Sequence, residues 1–165
     1  MAGRENLAVT EQADHATEQP FAGVDHVGYV VSDLDAASAF FVDVLGFEAL
    51  PRRGEASHPD GDHMTHWFGV HPRASSRFAF FRLGDSVVEL LEWTAPDQHR
   101  VHPRNSDHGG RHLAITTPDL DAATARLKSV LGVTIRARNE RGFVYVSTPF
   151  GLELQLIPGS PRERE

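Results

Sequence analysis

Between Phe21 and Pro158 the spacing of apolar positions changes period, and the order of those changes predicts the elements. The run Val24–Val31 is rich in β-branched residues and reads as a strand. Leu34, Ala37, Phe41, Val44 and Leu45 then recur at three- and four-residue intervals, which predicts a helix with one buried face. Asp33 stands just ahead of it, where its carboxylate can accept from the first free N–H groups, and Gly46 suits the left-handed turn that would end it. Three strand-like segments follow, Phe47–Arg52, Arg77–Leu83 and Ser86–Trp93. The same order then begins again: a strand over Arg111–Thr117, a cap at Asp119, an Ala-rich helix, Gly132, and strands over Val133–Ala137, Gly142–Ser147 and Leu152–Ile157.

The recurrence is literal. Sliding the chain by 86 places sets His26–Phe47 against His112–Val133 without a gap, with ten identities in 22 positions. They include His26/His112, Asp33/Asp119, Leu34/Leu120 and Gly46/Gly132. The chain is two copies of one supersecondary unit, each read as βαβββ. The expected fold class is α+β, with a first module over 21–93 and a second over 110–158. An insert over 53–76, rich in Asp, Gly and Pro, and a linker over 94–109, rich in Pro, Asp, His and Arg, interrupt the symmetry. Long stretches of this kind without their own secondary structure are usually functional lids or disordered. The tails, 1–20 and 159–165, read as solvated and disordered.

Composition narrows the function. The chain has 165 residues, no cysteine and a formal charge of −7. Disulfides and thiolate metal sites are excluded, and a sequence-independent phosphate binder, which needs a basic face, is disfavoured. No nucleic-acid partner is expected. No run approaches the roughly 18 apolar residues of a spanning helix, and Met1–Pro20 lacks the apolar core of a signal peptide. No membrane association and a cytoplasmic location are the expectation.

Chemistry enters through four residues. Each copy opens with a histidine, His26 or His112, and each carries a glutamate inside an otherwise apolar final strand, Glu89 in VVELLEW and Glu153 in GLELQLI. A lone carboxylate in an apolar sheet is costly unless it is paired or bound to metal. Any one of the four, taken singly, reads more simply as a structural histidine or a solvent-facing glutamate. Taken as a set at equivalent repeat positions, they converge on one divalent ion, and imidazole with carboxylate suits zinc, nickel, cobalt, manganese or iron. His58, His63, His66 and His71 of the insert lack such spacing and read as surface residues.

The motifs DHVGYVVSDLDAASAFFVDVLGF, VVELLEW, GRHLAITTPDLDAA and TPFGLELQLI resemble the vicinal oxygen chelate superfamily, which includes glyoxalase I, methylmalonyl-CoA epimerase, extradiol dioxygenases and the fosfomycin- and bleomycin-resistance proteins. The resemblance covers about Phe21–Pro158. It implies paired modules whose curved mixed sheets enclose a metal in a cup, and it maps the four ligand positions onto His26, Glu89, His112 and Glu153. A glutamate at position 89 is the pattern of the glyoxalase I branch. Val30 stands where that branch carries the arginine that grips glutathione, and an apolar group supplies no such contact.

The resemblance implies a metal-dependent lyase or isomerase of glyoxalase type acting on a small molecule with vicinal oxygens. The metal would stabilise an enediolate formed by removal of a proton next to a carbonyl, with Glu89 or Glu153 as the base. The alternatives are an iron-dependent oxygenase of extradiol type using His26, His112 and Glu153, and a non-catalytic drug-binding protein. Trp67 and Phe68 are candidate lid residues, and Arg104, Asn105 and His108 are candidates for the rim of the substrate site. A homodimer is the expected assembly.

Overall fold

The computed structural model describes residues 20–159; the expected tails lie outside them, apart from Pro20 and Gly159. Eight strands form two four-stranded mixed sheets, one per repeat, and three short helices pack against them. The first sheet has β1 (Val27–Val30), β2 (Glu48–Ser57), β3 (Ser75–Leu83) and β4 (Ser86–Thr94) in the order β1-β4-β3-β2. The second has β5 (His112–Thr117), β6 (Thr134–Ile135), β7 (Val144–Ser147) and β8 (Glu153–Pro158) in the equivalent order β5-β8-β7-β6. In each, the first strand runs parallel to the last and the other pairings are antiparallel. The paired βαβββ reading stands. No helix among the described residues is long and apolar enough to cross a membrane.

Helices α1 (Leu34–Ala39) and α3 (Leu120–Lys128) start where the repeat places them. Asp33 accepts from the Ala36 N–H at 2.9 Å, and Asp119 from the Ala122 N–H at 2.8 Å. Replacing Asp33 with Ala leaves that N–H without its cap, and about 1 kcal/mol of stability should be lost, read as a lower urea midpoint at unchanged slope. Gly46 and Gly132 have φ of 78° and 81°, the left-handed turns expected of them. The first helix departs from the reading in its second half. Phe40–Val44 is wound as a π-helix, with the Leu45 N–H bonding the Phe40 carbonyl at 3.0 Å. The wider turn lets two adjacent aromatic residues, Phe40 and Phe41, both face the core.

Alternation sorts each sheet into two faces. Along β4, Val88 and Leu90 are buried against the helices, as Leu154 and Leu156 are along β8. One hydrophobic core runs beneath both sheets, from Phe41, Phe81 and Leu90 to Val146, Leu152 and Leu154. The halves meet through it. Phe40 packs edge-on to Phe150 at 5.3 Å, the Ser32 N–H bonds the Phe150 carbonyl, and the Tyr29 hydroxyl donates to the His112 carbonyl at 3.3 Å.

The insert is more ordered than its composition implies. Gly54–Ser57 continues β2 and pairs with Ser75–Phe78 of β3, and α2 (His63–Phe68) fills much of the remainder. Polar residues can make these strand ends because β2 lies at the sheet edge with much of its surface in solvent. Between Ala49 and Arg53 the ladder shifts register around Pro51, which has no N–H to donate. The shift turns Arg52 over the Phe80 ring, 4.0 Å from its centroid. The first strand also begins later than its apolar run, so His26 lies immediately ahead of β1 rather than within it.

Candidate active site

Opposite the helices, each sheet presents a second face, and the candidate residues stand there. In the first sheet Glu89 pairs in register with Gly28 on one side and Phe80 on the other. Its Oε2 lies 3.3 Å from His26 Nε2. Gly28 keeps this spot open, since a Cβ there would come within 3.3 Å of the same oxygen. His26 is held from behind: its Nδ1 lies 2.6 Å from Asp25 Oδ1, and Asp25 also accepts from Arg52 at 3.1 Å. Those two bonds, His26 first and Arg52 second, hold the Asp25 carboxyl below its usual range. Donation from Nδ1 to Asp25 would leave Nε2, on the side of Glu89, as the ring nitrogen available to a cation lying between them. The edge of Phe80, 4.9 Å away, steadies the ring.

In the second sheet His112 and Glu153 are direct partners across β5 and β8. Tyr145 packs edge-on to His112 at 5.2 Å and pairs with Gln155. Glu153 and Gln155 point to the same side as each other, because Leu154 and Leu156 between and beyond them are buried. Glu153 Oε2 is buried and accepts no hydrogen bond among the described residues. Arg136, its ion-pair partner, stands 4.0 Å away and donates instead to Ser147 at 3.2 Å.

The register corrects the equivalence read from the sequence. Glu89 stands opposite Gly28, two residues beyond His26, so its counterpart stands opposite Ala114, two beyond His112. That residue is Gln155. Glu153 is displaced one full alternation along the strand, onto the level of His112 itself. The repeat is literal only through the first strand and helix, and the final strands lie at different distances from it. Gln155 and its partner Tyr145 are hidden by that offset, and carrying the pairing register into the last strand finds Gln155; Asp25, behind His26, is not announced by the repeat.

The candidate set comes as two pairs, His26 with Glu89 and His112 with Glu153. Among the described residues no three His, Asp or Glu side chains converge on one point. The donors nonetheless fit a divalent cation: an imidazole with its proton fixed on the far nitrogen, a carboxylate facing it across a glycine, and a buried carboxylate oxygen with no donor.

The other candidates lie apart. Trp67 is exposed on α2 and stacks with His63 at 4.9 Å, and Phe68 reaches Trp93 at 5.8 Å, so α2 sits beside the far end of β4. Arg104 folds onto Asp107 with its guanidinium 2.8 Å from the carboxylate, and Asn105 and His108 are exposed in the same turn. None of these five makes a described contact with the four ligand candidates. Of the insert histidines, His58 and His63 contact each other at 4.1 Å, and His66 is exposed.

A family model for the Glyoxalase/Bleomycin resistance protein/Dioxygenase superfamily matches residues 23–156. The chain belongs to that superfamily. Within it, the chain is 42% identical over 156 residues to a 2-epi-5-epi-valiolone epimerase from Actinomyces sp., spanning 86% of this chain and 84% of the relative. It is 28% identical to the uncharacterized protein YaeR of Escherichia coli, over 81% of this chain and 93% of that one. Among superfamily folds of known structure, a glyoxalase family protein from Bacillus cereus superposes with a TM-score of 0.70 at 21% identity, covering 88% of this chain and 98% of that one. FosX from Listeria monocytogenes, solved with Mn(II) and sulfate, gives 0.53 at 18% identity, covering 85% and 94%.

Proposed function

We propose that the chain is a divalent-metal-dependent epimerase that inverts a carbon next to the carbonyl of a polyhydroxylated cyclic ketone. The substrate class follows the name of the 42%-identical relative. The observation that carries the reaction type is Glu153, a carboxylate with one buried oxygen that no donor satisfies, on the level of His112. No hydrogen bond occupies that oxygen, so its lone pairs are open toward a substrate proton.

His26, Glu89, His112 and Gln155 are the residues we assign to the metal, and Glu153, on the level of His112, is left outside that set as the base. When bound, a divalent cation supplies Lewis-acid stabilisation of charge on the carbonyl oxygen. The protein groups do the rest. Glu153 removes the proton from the carbon, and the C–H electron pair moves into the carbonyl to give an enolate. Inversion requires a proton delivered to the opposite face; Glu89, carried by the other sheet, is the group we assign to it, released from the cation and protonated from solvent before delivery, while Glu153 returns its proton to solvent. Asp25 keeps His26 in the tautomer that presents Nε2.

The two pairs belong to different sheets, and we propose that a homodimer is the working assembly. The test begins with the metal. Purified protein should carry close to one zinc, nickel, cobalt, manganese or iron per chain, and a chelator should abolish epimerisation with recovery on adding metal back. Asp25→Asn removes the charge behind His26 and should weaken metal affinity by about 10- to 100-fold, measured by competition with a chromophoric chelator. Full turnover in protein shown by elemental analysis to be metal-free would overturn the reading.

A further inference from the structure

The face that carries Glu89 continues along β4 through Leu91 to Trp93, and along β1 from Gly28 to Val30. Where these rows end, a cavity of about 360 Å³ opens at the seam of the halves. Residues 98–103 of the linker form its wall, and Arg111 of the second half closes it. That volume lies within the range of small-molecule sites, roughly 300–1,000 Å³.

The charge of this cavity is opposite to that of the chain. Arg100, Arg111, His99 and His102 line it, against one carboxylate, Glu92. Glu92 is already engaged, accepting from the Leu34 N–H at 2.8 Å and facing Arg77 at 3.7 Å. Among the described residues no carboxylate pairs with Arg100 or Arg111. The described contacts of Arg111 are one long bond to the Val30 carbonyl, 3.4 Å, and an approach to the Tyr29 ring. A guanidinium has five N–H donors in a planar fork, so most of this one is free for a ligand. In a chain of net charge −7, two unpaired guanidinium groups on one cavity are a local reversal that a solvated surface does not require.

We propose that this cavity binds an oxyanion, phosphoryl or carboxylate, carried on a sugar-sized polyol, with Arg111 as its principal contact and the Trp93 face beside it. The placement rests on the epimerase reading for where the reacting ring sits. Val30 is two residues beyond Gly28, about 7 Å at the usual rise of a strand. A ring held over His26 and Glu89 would therefore reach the cavity with a substituent arm of a few bonds, at about 1.5 Å per bond. Val30 is apolar, and Arg111 brings the cation to this end of the site from the other half of the repeat.

The test reads binding without turnover. The full chain, as purified, is labelled with nitrogen-15 and titrated with glucose 6-phosphate, gluconate and glucose while the Trp indole and Arg Nε–H signals are followed. At least one anionic ligand should shift the Trp93 and Arg111 signals and bind about tenfold or more tightly than glucose. Arg111→Gln should weaken that ligand by about tenfold, Arg100→Gln should weaken it measurably, and Arg73→Gln, outside the cavity, should not. Whichever anion wins identifies its source. Binding no tighter than that of glucose overturns the proposal, as does undiminished affinity in both folded Arg100→Gln and Arg111→Gln; should Arg111→Gln fail to fold, Arg100→Gln decides. A protein that binds the anion but never epimerises would refute the catalytic reading alone. One that epimerises but is indifferent to the anion would refute only the cavity.

Discussion

Glu153→Gln should lower the exchange of the substrate's α-proton with solvent deuterium by about 10²- to 10⁴-fold, the usual contribution of a positioned general base, while the protein keeps its metal. The substitution preserves shape and removes the ability to accept a proton. Gln gives up only the long ion pair to the largely exposed Arg136, 4.0 Å away, so the cost to the fold should be small. Two measurements separate the roles. Exchange is followed by NMR on the cyclic polyhydroxy ketone, and metal content by elemental analysis of the same sample. Lost exchange with metal retained identifies Glu153 as the proton carrier. Lost metal makes it a ligand and moves the base to Glu89. Full exchange with full metal removes Glu153 from the chemistry, and the proposed mechanism fails with it.

Glu89→Gln provides the contrast. Glu89 faces His26 Nε2 at 3.3 Å, and its register counterpart is already an amide, Gln155. An ion bound by His26, Glu89, His112 and Gln155 would have one carboxylate among four donors, so neutralising Glu89 should cost metal affinity as well as the proton it delivers. The asymmetry between a variant that keeps metal and one that loses it is what the two-residue offset in register implies.

That offset also marks how far the sequence could be read. The repeat over His26–Phe47 and His112–Val133 was legible because it is carried by caps, helix-ending glycines and small helical residues, whose identities local backbone geometry dictates. It yielded the two modules, both helix starts and the sheet-bearing strands. The final strands were legible as strands but not in register, because VVELLEW and GLELQLI share a pattern of alternation that fits equally well when slid by two. Only the hydrogen-bonded pairing with β1 and β5 removes that ambiguity. Asp25 was invisible for another reason: its role depends on Arg52, and Arg52 reaches it only through the irregularity around Pro51, which no periodicity announces. The strand ends at Gly54–Ser57 and Ser75–Ser76 were hidden by their polarity, since an edge strand need satisfy only its ladder. The cavity at the seam is tertiary throughout, built from a β1 end, a β4 end, the linker and one residue of the second half.

Phe41→Ala should have the largest effect on stability. Phe41 is fully buried, packs against Phe47 at 4.8 Å and Phe81 at 5.6 Å, and belongs to the core that underlies both sheets. Truncation leaves a ring-sized void beneath the first sheet, and phenylalanine-to-alanine changes at such positions cost about 3–5 kcal/mol. The loss should be near the upper end, because the neighbours that would have to collapse are held in place. Phe41 sits in the π-helical turn, whose hydrogen bonds fix the backbone on either side, and Phe81 is pinned in a strand paired on both edges. The expected reading is a urea midpoint displaced by that free energy at constant slope. Phe40→Ala tests the role of the π-turn. Phe40 is nearly as buried but touches Phe150 of the second half, so its removal strips contacts between the modules instead of within one. If the modules unfold as one cooperative unit, both variants should give single transitions. If Phe40→Ala instead splits the transition in two while Phe41→Ala does not, the halves are stable separately, and the contact of Phe40 with Phe150 is what makes the paired modules a single body.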